Sequence, residues 1–111
     1  MEHKDARQAQ RQSFEVDVEI VNMESAIRIT ERTKDVSLYG CGVRASDPFA
    51  SGTRVILNLT YEREKISAIG RVIYGKADLG MGIAFTTIEP EDERILAGWI
   101  AGLMSIPITH A

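Results

Sequence analysis

From residue 14 the chain alternates. Phe14, Val16, Val18 and Ile20 are apolar, and the residues between them, Glu15, Asp17 and Glu19, are acidic. Period two over seven residues reads as a half-buried strand. A weak turn over residues 22–25 leads to a second strand in which Ala26, Ile27 and Ile29 mix with Arg28 and Thr30. Residues 33–42 have no clean period, and Asp35, Ser37, Gly40 and Gly42 read there as loop and turn residues. Val43 and Ala45 alternate with Arg44 and Ser46 in a short third strand, and Asp47-Pro48 and Ser51-Gly52 punctuate the next connection. Residues 53–61 form the clearest later strand, with Val55, Leu57, Leu59 and Tyr61 on one face and Ile56 as the exception. Residues 66–74 follow, with Gly70 inside the run as the mark of a bulge or bend. After a turn over residues 75–80, a last strand spans 81–88 with Ile83 and Phe85 inward.

The period then lengthens to that of a helix. Ile95, Leu96, Trp99, Ile100, Leu103 and Met104 make one apolar stripe. Pro90 suits the first helical position, Glu91, Asp92 and Glu93 suit the positive end of the helix dipole, and Pro107 stops the run. Strands this close together leave no room for crossover helices, so the sheet is expected to be antiparallel and closed or nearly so. The fold class that follows is all-β: a six-stranded antiparallel β-barrel with a C-terminal α-helix that caps it or covers an edge.

Residues 1–13, MEHKDARQAQRQS, hold no large apolar side chain beyond Met1. Such a segment is expected to be a flexible tail, or ordered only by something that binds it. The domain is therefore placed at residues 14–105, with a second short tail at 106–111. The 111 residues are one domain's worth of chain. The net charge of −3 argues against a surface coated in positive charge for DNA or RNA. Cys41 is alone, and His3 and His110 both lie near chain ends, so no catalytic residues and no metal ligands are expected. Cys41 reads as a small buried side chain, Glu91 to Glu93 as a helix start, and Trp99 as the anchor of the helix on the barrel. No apolar run approaches the roughly 18 residues of a membrane span, and residues 1–13 do not resemble a signal peptide. The expected setting is the cytoplasm, without insertion into a membrane.

Two motifs remain. Arg7 and Arg11 are spaced as RxxxR, and residues 35–40, Asp-Val-Ser-Leu-Tyr-Gly, read DxSxxG. Singly, the first reads equally as a solvated tail and the second as a loop whose Asp and Ser bond their own backbone. In this order, around a six-stranded barrel with a closing helix, they resemble the PilZ domain family. Gly52-Thr53-Arg54-Val55, Gly70-Arg71-Val72-Ile73-Tyr74, Gly80-Met81-Gly82-Ile83-Ala84-Phe85 and Pro90-Glu91-Asp92-Glu93-Arg94 with Trp99-Ile100 agree with it. The resemblance runs from about Arg7 to Ile100. One departure is Gln12-Ser13 between Arg11 and Phe14, where many members place Val or Pro close behind the second arginine.

The resemblance implies binding of cyclic di-GMP through Arg7, Arg11, Asp35, Ser37 and Gly40. The chemistry is consistent with that implication. Arginine's planar fork suits phosphate oxygens and the guanine O6/N7 edge, and it stacks over purines. A carboxylate such as Asp35 matches a guanine N1–H and N2–H edge. Ser37 can donate or accept, and Gly40 lets backbone turn or approach a ligand. Arg44, Arg54 and Arg71 lie on strands that could add to the positive field. The resemblance further implies a sensor, not an enzyme, that orders its tail over the ligand and signals to an effector protein. The alternative is a ligand-independent adaptor of the same fold. Ala6, before RxxxR, is neither bulky nor charged and leaves one or two ligand molecules per site open.

Overall fold

The computed structural model describes residues 12–105. Among them, seven strands precede one helix: β1 (Gln12–Ser13), β2 (Asp17–Asn22), β3 (Arg28–Ser37), β4 (Gly40–Val43), β5 (Arg54–Tyr61), β6 (Glu64–Lys76), β7 (Gly80–Ile88) and α1 (Pro90–Ser105). Strands β2 to β7 run β3-β2-β5-β6-β7-β4, and β4 pairs back onto β3, so the six close into a barrel. Every pairing is antiparallel. The two-residue β1 is the addition. It pairs with β3 at Val36 and Asp35, on the edge that β2 occupies further along.

The alternation read in the sequence sets which side chains fill the barrel. Phe14, Val16, Val18 and Ile20 are buried, as are Val55, Leu57 and Leu59 of β5 and Val72, Met81 and Ile83 of β6 and β7. Each such side chain contributes about 1.5–3 kcal/mol when fully removed from water. Helix α1 closes the end of the barrel where Phe14 and Tyr61 sit. Leu96, Trp99 and Ile100 are buried there. The Trp99 ring meets Tyr61 edge-on at 5.4 Å and Phe14 at 6.3 Å, and its indole N–H donates to Glu64 Oε1 at 2.7 Å. Trp99 is thus the anchor that the helical stripe indicates. Gly70 sits at a register shift in β6, as a glycine inside a strand suggests.

One expectation fails. Residues 33–42 are not a loop. Asp35 and Ser37 lie on β3, Gly40 and Gly42 on β4, and Leu38-Tyr39 alone makes the turn. Polar residues with low strand propensity are held extended because β3 is paired on both edges here, with β1 on one side and β4 on the other. The third strand accordingly lies at Gly40–Val43 and not at 43–46.

Candidate functional site

The segment between β1 and β2 kinks, and a buried hydroxyl holds the kink. Ser13 is opposite Asp35 and Asp17 is opposite Arg32, a one-residue change of register. Thr33, fully buried, fills the break. Its Oγ1 accepts from the Val16 amide at 3.0 Å and donates to the Phe14 carbonyl at 2.6 Å. The chain is thereby delivered along β3 past Asp35 and towards Ser37.

Alternation about Val36, which is fully buried, puts Asp35 on the outer face of the barrel. From there a row of residues crosses four strands in register. Asp35 faces Gly42 on β4, Gly42 faces Gly82 on β7, and Gly82 faces Tyr74 on β6. Asp35 Oδ1 accepts the Gly42 amide at 3.1 Å. A Cβ on Gly82 would run into the Tyr74 ring, so that ring lies directly over the glycine. The row is a small-residue floor on which the Asp35 carboxylate lies against Gly42 and the Tyr74 ring lies over Gly82.

A second row lies beside it. Ser37 faces Gly40, Gly40 faces Ala84, and Ala84 faces Arg71. Ser37 Oγ accepts the Tyr39 amide at 3.0 Å, which fixes the two-residue turn. Gly40 is required by space and not by backbone angle: a Cβ there would overlap the Ile83 carbonyl oxygen of the neighbouring strand. The structure therefore brings Asp35, Ser37 and Gly40 together on one small-residue surface. Arg7 and Arg11 lie outside the described residues.

Cations border this surface. A hollow of about 380 Å³ opens beside it, lined by Lys34, Arg44, Ser46, Asp78 and Leu79 among others. Lys34 Nζ donates to the Leu79 carbonyl at 2.9 Å, and Arg44 pairs with Glu15 at 3.6 Å. Sequence reasoning gave Lys34 and Tyr74 no role. Their signal was available only through registers between strands distant in sequence. Among the described residues, no group of three or more His, Cys, Asp or Glu side chains could hold a metal ion. No described helix is long and apolar enough to cross a membrane.

Comparison with known proteins agrees with this architecture. The PilZ domain of CeSA from a cellulose-synthesizing bacterium superimposes with a TM-score of 0.66 at 27% identity, covering 85% of this chain and 97% of that one. The Bacillus subtilis inhibitor of motility, MotI/DgrA, shares the fold at a TM-score of 0.69 and 19% identity, over 85% of this chain and 49% of its own. No curated protein matches the chain. The PilZ domain family itself matches residues 5–102, a span that takes in the barrel, most of the closing helix and both sequence motifs. The chain belongs to the PilZ domain family, a family of binding and adaptor domains.

Proposed function

We propose that this protein is a cyclic di-GMP receptor that binds the nucleotide on the outer face of β3, β4 and β7 and signals through a partner protein. The observation that carries the reading is the row Asp35–Gly42–Gly82–Tyr74. Gly42 and Gly82 leave room for the Asp35 carboxylate and the Tyr74 ring to lie against the sheet, so a flat purine can stack on the ring with the carboxylate at its edge. Asp35 accepts a guanine N1–H and N2–H edge alongside the Gly42 amide, because a carboxylate offers about four lone-pair sites. Ser37 adds a hydroxyl at the turn.

Arg7 and Arg11 supply the phosphate contacts. Arg11 lies outside the described residues and precedes Gln12, the first of them, in the sequence. Gln12 in turn faces Val36, between Asp35 and Ser37. The described chain therefore starts beside the acceptor side chains. Phosphate binding then draws the tail across the site and creates a new surface. The PilZ domain of CeSA comes from a cellulose-synthesizing bacterium and MotI/DgrA is an inhibitor of motility, which gives two outputs to test for the partner.

Isothermal titration with cyclic di-GMP tests this. Micromolar or tighter binding is expected, weakened about tenfold or more by Arg7→Ala, Arg11→Ala or Asp35→Ala, as for charged hydrogen bonds removed from an interface. Affinity should fall as salt rises. No heat at high ligand concentration, with folded protein, overturns the reading and leaves the barrel as a protein-interaction module.

A further inference from the structure

Arg54 and Arg71 face each other directly across β5 and β6. Their neighbours Val55 and Val72 are buried inside the barrel, so both guanidinium groups point outward. Side chains paired in this way have Cβ atoms about 4.5–5.5 Å apart, and like charges so placed repel. Three other arginines, by contrast, sit against acids: Arg28 with Glu19, Arg32 with Asp17, Arg44 with Glu15. Among the described residues, neither Arg54 nor Arg71 has such a partner. A repulsive pair that folding leaves uncompensated fits an anionic group supplied from outside.

The surroundings say what kind. One step along the strands, Val21, Ile56 and Ile69 form an outward apolar row across β2, β5 and β6. On the other side of the arginines, the next outward residues of β6 are Ile73 and Tyr74, 56% and 38% exposed. The cationic pair thus lies between two apolar patches on one sheet face. Helix α1 does not cover them, because Trp99 ties it to Phe14, Tyr61 and Glu64 at the barrel end. Glu19, Asn58 and Ser67 form the far border, and the Ser67 amide is held by Asp92. With Glu19 and Asp92 on that border the face is mixed in charge, which matches a protein segment of mixed side chains better than a uniformly anionic bilayer. Arginine flanked by apolar side chains, with polar groups around the rim, is the composition of a protein interface.

We infer that the outer face of β2, β5 and β6 docks a segment of a partner protein that carries carboxylates beside apolar side chains, with Arg54 and Arg71 as its recognition pair. The inference does not require cyclic di-GMP to bind, although Arg71 and Tyr74 also border the floor proposed for it.

The test is photo-cross-linking in the cells that naturally produce the protein, using the full chain with a benzophenone side chain at Ile73 or, as a control, at Glu93 on α1. Adducts with one other protein are expected at Ile73 and not at Glu93. The cross-linked peptide should carry Asp or Glu next to apolar residues. Arg54→Gln with Arg71→Gln should reduce the adduct about tenfold, the scale of a charged anchor lost from an interface. Thermal unfolding keeps the loss interpretable: the neutral double variant should melt no lower than the parent, since it relieves repulsion. Arg54→Glu with Arg71→Glu should also abolish the adduct, and Lys in place of the partner's acids should restore it. Adducts with a second copy of this chain or with lipid, adducts no stronger than at Glu93, or adducts indifferent to both double variants would overturn the inference.

Discussion

The Thr33 hydroxyl accepts the Val16 amide at 3.0 Å, inside the barrel wall and seventeen residues away in sequence. The same oxygen donates to the Phe14 carbonyl at 2.6 Å. One buried side chain therefore completes the backbone bonding where the register of β1 and β2 changes. Thr33→Val keeps the shape and removes the hydroxyl, leaving buried groups without partners at a cost of about 1–3 kcal/mol. Thr33→Ser should recover most of that loss. Urea unfolding midpoints check the stability, and amide exchange at Val16, which loses its acceptor, should accelerate in the Val variant.

Two glycines should respond in opposite directions to the same change. Gly40→Ala forces a methyl group against the Ile83 carbonyl, where no flexible side chain can give way. Strain of this kind costs about 1–3 kcal/mol, and it should open the β4–β7 ladder. Gly98→Ala on α1 meets nothing within 4 Å and should stabilise the helix by about 1 kcal/mol. Thermal melts of the two variants, run side by side, should move apart.

Trp99→Ala should remove about 3–5 kcal/mol, the usual cost of deleting a buried large aromatic. It abolishes the ring contacts with Phe14 and Tyr61 and strands the Glu64 carboxylate. Trp99→Phe should be milder, since it keeps a ring and loses the indole hydrogen bond. Denaturant titration distinguishes the two steps.

How far the sequence could be read is clearest at Asp35 and Tyr74. Alternation located the inward residues of β2 and β5, and the helical stripe located Trp99, because both patterns are local. The strand character of Asp35 and Ser37 was hidden. Their own propensities favour turns, and what holds them extended is pairing with β1 and β4. All four residues of β4, Gly40–Val43, are buried, so no alternation marks it. The neighbourhood of Asp35, Gly42, Gly82 and Tyr74 depends on three ladders between distant segments. Motif spacing brought Asp35, Ser37 and Gly40 forward, but nothing local joins them to the Tyr74 ring.

Glu19 gives a pH prediction. The hydrogen bond from Arg28 at 2.6 Å, and then that from Asn58, hold its carboxyl below the usual glutamate range. A carboxylate whose folded value is depressed contributes its stability above the unfolded value. That contribution is lost as pH falls through the folded value. Acid unfolding of Glu19→Gln should therefore differ from the parent above the ordinary glutamate range, and the gap should close at lower pH. The effect will be small, because the groups are exposed to solvent.

The most direct test of the ligand reading is a nuclear magnetic resonance titration of the full chain with cyclic di-GMP, following the backbone amides of Gly40, Gly42 and Gly82. These amides lie on the proposed floor, beside Asp35, Ser37 and Tyr74. Saturable shifts at all three, lost in Asp35→Ala while the remaining spectrum stays folded, are the expected result. Amides that do not move at saturating nucleotide, or shifts confined to β5 or α1, would contradict cyclic di-GMP recognition on this face.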